Sequence, residues 1–95
     1  MAKLKWLVEA LDDVERLHEF LHGKDTEAAD QCIITILEGA KLLKSSPNLG
    51  RPMADELRQR ELFMSFGVGA YVLRYRLEDA ETVVIVRVWH SRESR

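Results

Sequence analysis

Few side chains in this sequence have the type and spacing that chemistry requires. His90 and Arg92 stand two residues apart near the C-terminal end, an imidazole able to give or take a proton beside a permanent cation. Such a pair suits proton transfer or the binding of an anion. Arg74, Arg76, Arg87 and Trp89 form a second group. Guanidinium forks match carboxylates, phosphates and base edges, and an indole stacks on cations or bases. These four make either a basic, aromatic surface or an ordinary solvated sheet face held by cross-strand pairs. His18 and His22, at i and i+4, have a spacing able to grip a metal. No third ligand accompanies them, so no metal is expected.

The elements that must position these groups follow from hydrophobic periodicity. Val8 to Leu21 reads as an amphipathic helix, with Ala10, Leu11, Val14, Leu17 and Leu21 on one side. Glu9, Asp12 and Asp13 lie near its start, where the helix dipole favours negative charge, and Gly23 marks its stop. Asp25 is an N-cap for a second helix. Its stripe is Ala29, Cys32, Ile33, Ile36, Leu37, Ala40 and Leu43, with Ile34 outside it, and Pro47 and Gly50 end it. The short connection predicts an antiparallel hairpin.

Ser45 to Gln59 is a polar connector, with a short turn of helix expected over Ala54 to Leu57. The period then changes to two. Leu62–Phe66, Ala70–Leu77 and Thr82–His90 read as strands, and Lys3–Leu7 adds a short one before the first helix. If Asp79 and Ala80 form the hairpin turn, Tyr71, Leu73 and Tyr75 share the core face with Val84, Val86 and Val88. The other face then holds Val72, Arg74 and Arg76 with Val83, Ile85, Arg87 and Trp89. The expected fold is α+β, an N-terminal antiparallel helical hairpin packed on a three- or four-stranded, mostly antiparallel sheet. Residues 1–95 form a single domain.

Composition narrows the function classes. At 46% hydrophobic and 32% charged residues, the chain has the balance of a globular domain. The net charge of −2 argues against a general nucleic-acid coat. The charge is uneven: all five lysines lie in residues 1–50 and eight of the nine arginines in residues 51–95. One cysteine, Cys32, can form no internal disulfide, as expected of a cytoplasmic protein. No export signal, membrane span, phosphate-cradling glycine loop or nucleophile elbow is recognisable, and no cofactor is expected.

The order of elements and several short motifs together resemble the RelE/ParE superfamily of type II toxin–antitoxin toxins. The resemblance spans nearly the whole chain. It rests on Trp6 leading into Glu9–Val14, on Ala28-Ala29, on Leu42 through Pro52 with its Leu49-Gly50-Arg51-Pro52, and on Arg60-Glu61-Leu62. It continues through Tyr71–Arg76 and ends with Val84 to Arg92. The resemblance implies a growth-arresting, plasmid-stabilising cytoplasmic toxin, neutralised by a cognate antitoxin, with which it can form oligomers.

Two activities occur in the superfamily. One branch cleaves messenger RNA on the ribosome; the ParE-like branch inhibits DNA gyrase. RelE-like nucleases carry basic side chains at positions matching Phe63 and Ser65, and an arginine matching Val72. This chain has none of these, and its Leu-Gly-Arg-Pro and Arg-Glu-Leu motifs look ParE-like. The resemblance therefore implies gyrase inhibition by binding, with ribosome-dependent cleavage of messages as the alternative. Arg74, Arg76, Arg87, Trp89, His90 and Arg92 are the expected target surface, and His90 and Arg92 the groups for any catalysis. Arg51 and the Arg60–Glu61 pair are expected to hold the connector to the sheet.

Overall fold

The computed structural model describes residues 3–54 and 57–93. Strand β1 (Lys3–Trp6) leads into helix α1 (Val8–His22), helix α2 (Thr26–Ser45) and a two-residue strand β2 (Arg51–Pro52). Strands β3 (Arg60–Phe66), β4 (Gly69–Asp79) and β5 (Thr82–His90) follow. The sheet order is β1-β5-β4-β3-β2. β1 runs parallel to β5 and every other pairing is antiparallel. The sheet thus has five strands, not three or four. The addition is β2, a proline-containing stub too short for a period-two pattern to reveal. The turn of helix expected over Ala54–Leu57 falls partly outside the described residues.

The helices form where their stripes and caps predict. The Asp25 carboxylate accepts hydrogen bonds from the Glu27 and Ala28 amides, 3.1 Å each, at the N-terminus of α2. Leu17, Cys32, Ile36, Ala40 and Leu43 are buried against Tyr71, Leu73, Tyr75, Val83, Ile85 and Val88. Leu11 and Leu37, placed on the buried stripes by their spacing, are instead about half exposed, at 52% and 46%. Helical periodicity locates a stripe, but its margins depend on how closely the neighbouring helix approaches.

The register of β4 with β5 differs from the expected one. The turn is Ala80-Glu81, because Asp79 pairs with Thr82 and its carboxylate accepts from the Glu81 amide at 2.8 Å. Leu73 then faces Val88, while Tyr75 faces Ile85, which leaves Val86 as a bulge. A bulge reverses the alternation beyond it. Val83, Ile85 and Val88 therefore lie in the core, and Val84 moves to the opposite face.

Tyr75 ties the connector to the sheet. Its hydroxyl donates to the Pro47 carbonyl at 2.7 Å and accepts from the Gly50 amide at 2.8 Å. A Cβ at Gly50 would lie 2.6 Å from the Tyr75 ring, so only glycine permits this approach. Arg60, paired with Tyr75 across β3 and β4, donates to the Asn48 and Gly50 carbonyls.

A second clamp joins α1 to β5. β1 covers β5 only as far as Ile85. Beyond that point side chains of α1 take the place of a strand. The buried Asp13 carboxylate accepts from the Val88 amide at 2.9 Å and from Arg87 Nε at 2.7 Å. Arg16 bonds Asp13 at 3.2 Å and donates to the Val88 carbonyl at 3.4 Å. Burial raises the Asp13 pKa, but the bonds from Arg87, Val88 and Arg16 and the Arg87 charge outweigh it, and the net shift is below the ordinary 3.8.

Two outcomes follow. Tyr75→Phe strands the buried Gly50 amide and the half-buried Pro47 carbonyl, so urea denaturation should show a loss of roughly 1–3 kcal/mol. Asp13→Asn should cost roughly 1.5–3 kcal/mol near neutrality, the range for hydrogen bonds to charged groups. A lowered carboxylate pKa stabilises above the unfolded value and loses that contribution as pH falls through the folded one. The gap between wild type and Asp13→Asn should therefore narrow on acidification below about pH 4, read by urea melts across pH.

Candidate functional site

Successive residues of a strand point to opposite faces, so Trp89 and His90 cannot share a surface. The expected target surface accordingly separates into two places. On the outer face, away from the helices, cross-strand register aligns Arg51, Glu61, Arg74 and Arg87 in one row. The next row is Phe63, Val72 and Trp89. Arg74 donates to Glu61 Oε2 through Nη2 at 2.8 Å and Nε at 3.2 Å, with its guanidinium 4.8 Å from the Trp89 ring centre. Glu61 therefore pairs with Arg74 across the sheet, not with Arg60 beside it. Arg51 stacks 5.0 Å from the Phe63 ring centre. The Arg87 guanidinium is held by Asp13, which raises its pKa further. Arg76 sits opposite Val84 in the next row, with no ion-pair partner among the described residues. This face is a network of arginines, of which Arg74 and Arg87 are ion-paired, beside an apolar row.

His90 and Arg92 lie elsewhere, at a cavity of about 470 Å³ between α1 and the end of the sheet. Leu17, Phe20 and Leu21 of α1 line it with Phe66 and Tyr71 of β3 and β4, and Arg16, His90, Arg92 and Glu93 bring the polar groups. Both imidazole nitrogens are engaged by main chain. Nδ1 accepts from the Arg92 amide at 3.2 Å, which leaves the Nε2 hydrogen for the Phe66 carbonyl, also 3.2 Å away. The ring meets Tyr71 edge-on at 5.1 Å. The Tyr71 hydroxyl, buried and bonded to Cys32, has its pKa raised, and burial raises that of the Cys32 thiol. Both stay protonated at neutral pH.

Sequence reasoning missed three residues of this cavity. Phe20 lies off the α1 stripe and is 64% exposed, which makes it an apolar wall open to solvent. Arg16 joins the Asp13 clamp to the last turn through an ion pair with Glu93. Glu93 in turn accepts from the His90 amide at 3.0 Å. An unpaired aromatic on a helix was the only available clue. The Arg16–Glu93 and Arg87–Asp13 pairs join residues more than seventy positions apart and have no local trace. His18 and His22 stack with ring centres 5.5 Å apart, and no cluster of three metal-ligating groups occurs among the described residues. No helix of the described chain is long and apolar enough to cross a membrane.

Comparison with known proteins agrees with this architecture. Residues 4–95 match the family model for the ParE toxin of the type II toxin–antitoxin system parDE. The chain is 40% identical over 83 residues to Toxin RelE3 of Caulobacter vibrioides, covering 87% of each chain. It is 37% identical over 89 residues to Toxin RelE1 of the same organism, covering 93% of this chain and 91% of that one. A solved structure titled as the chromosomal ParDE system from P. aeruginosa superposes with a TM-score of 0.77 at 22% identity. It covers 95% of this chain and 96% of that one, and shares the fold. A helical hairpin on a five-stranded sheet, with a family match running almost from end to end, places this chain in the ParE toxin family of type II toxin–antitoxin systems.

Proposed function

We propose that this toxin arrests growth in the cytoplasm by binding DNA gyrase and that a protein antitoxin neutralises it. The observation that carries this reading is the Phe63, Val72 and Trp89 row. Cleavage of RNA by its own 2′-hydroxyl needs a proton acceptor, a proton donor and cations around one phosphate. Phe63 and Val72, side by side on the outer face, supply none of these. The neighbouring Arg74 and Arg87 are tied to Glu61 and Asp13, and both nitrogens of His90 are engaged by main chain. Apolar side chains rimmed by a few cations fit a protein surface better than a scissile bond. Arg92, exposed at the cavity mouth with no ion-pair partner among the described residues, is the contact proposed for an acidic patch on the target.

A second reading draws on the names of the two relatives, which are RelE toxins. In that reading the chain cleaves translated messages with His90 and the arginines.

Supercoiling and translation assays on the purified protein separate the two. Inhibition of supercoiling without transcript cleavage is the expected result. Arg92→Ala should weaken that inhibition on the order of tenfold, as loss of one interface anchor does, with an unchanged melting temperature. Codon-phased cuts in messages that disappear with His90→Ala would establish the nuclease instead.

A further inference from the structure

The turn that follows β5 is pinned at every amide from His90 to Glu93. The His90 amide donates to the Glu93 carboxylate at 3.0 Å and the Ser91 amide to the Ala70 carbonyl at 2.7 Å. The Arg92 amide donates to His90 Nδ1 at 3.2 Å and the Glu93 amide to the His90 carbonyl at 2.9 Å. Ser91 Oγ accepts from the Ala70 amide at 2.9 Å, and Glu93 is ion-paired with Arg16. A Cβ at Gly69 would lie 2.6 Å from Ser91 Oγ and 2.8 Å from the His90 ring, so the bare backbone there lets this turn close on β4. The Arg92 side chain is the exception. It is exposed, with no ion-pair partner among the described residues. A fixed main chain that carries an unmatched guanidinium is a preorganised anion contact, with little ordering left to complete on binding.

That guanidinium stands at the mouth of the cavity between α1 and the end of the sheet. Its volume of about 470 Å³ falls within the roughly 300–1,000 Å³ of small-molecule sites. The bottom is Leu17 and Tyr71, which are 5% and 2% exposed. The sheet side is a set of rings, with Phe66 4.8 Å from Tyr71 and His90 edge-on to Tyr71. Phe20 and Leu21 close the helix side, and Lys24 Nζ stands 4.5 Å from the Phe20 ring centre. The charges limit what fits. Arg16 already serves two acids, Asp13 and Glu93. Arg92 is therefore the one unmatched guanidinium in the lining, and one guanidinium fork matches one carboxylate. A phosphate dianion would bring a second charge towards Glu93, with no second lining cation to meet it.

We propose that this cavity binds a small apolar monocarboxylate, its body among Leu17, Phe20, Leu21, Phe66 and Tyr71 and its carboxylate paired with Arg92. Burial of the body supplies affinity, and Arg92 selects for the anion. A neutral molecule of the same shape gains the first and not the second. Because Arg92 is also the contact proposed for the target, a bound carboxylate would compete with it. Binding is read on the toxin alone, so it stands or falls apart from the gyrase reading.

Naphthoate titrated into the full chain, followed by amide NMR shifts, tests this. Saturable shifts should be confined to residues 16–21, 66–71 and 90–93. Arg92→Ala should weaken binding on the order of tenfold with an unchanged melting temperature, as loss of one charge-assisted pair does. Naphthylmethanol, the same body without the charge, should bind the wild-type chain more weakly by a similar factor. Phe20→Asp, which sets an acid in the exposed wall, should weaken naphthoate at least as much. Three results would overturn the proposal. One is the absence of saturable shifts at millimolar naphthoate. Another is undiminished binding by Arg92→Ala or by the alcohol, which leaves only unselective apolar contact. The third is a doubled mass of the toxin alone with these same residues protected, which assigns the cavity to a second copy.

Discussion

Asp13 carries the load that a longer first strand would otherwise carry. Parallel pairing with β1 ends at Ile85, yet β5 runs on to His90. The main chain of Val88 would face solvent or an apolar helix there, and an unpaired buried amide is costly. One carboxylate accepts the Val88 amide and the Arg87 guanidinium, and Arg16 returns a donor to the Val88 carbonyl. The position of α1 across the sheet follows from this. So does the path of the last turn, because Arg16 also holds Glu93, and Glu93 holds the His90 amide.

The bulge at Val86 belongs to the same construction. It lets Ile85 and Val83 fill the core beside Tyr75 while Val88 fills it beside Leu73. Arg87, next to the bulge, is free to reach Asp13 at the edge of α1. An uninterrupted ladder would place Val84 and Val86 inward and leave Arg87 in the middle of an open basic face. Arginines read as a target surface serve, at Arg74 and Arg87, as cross-strand and helix–sheet ties. Arg76 and Arg92 keep guanidinium groups with no ion-pair partner among the described residues.

The core and the surface hollows occupy different parts of the molecule. The core is built from α2 and the centre of the sheet, where Tyr75, Ile36 and Leu43 are fully buried. The two surface hollows lie at its margins. One is the cavity at the end of α1, with Phe20 and Arg92. The other is the bare edge of β3 beside α2.

The sequence determined the element order, the two helices, the Asp25 cap and the strand Thr82–His90, because periodicity and capping are local properties that residues a few positions apart express. It also carried the family, through Leu49-Gly50-Arg51-Pro52 and the run from Val84 to Arg92. Tertiary structure decided the rest. The stub β2, the bulge at Val86 and the separation of Trp89 from His90 depend on pairings between distant segments. Asp13, legible only as a helix-start acid, became the clamp on β5 through a contact seventy-five residues away. No spacing rule reports such a contact, because only the closed fold brings its two ends within hydrogen-bonding distance.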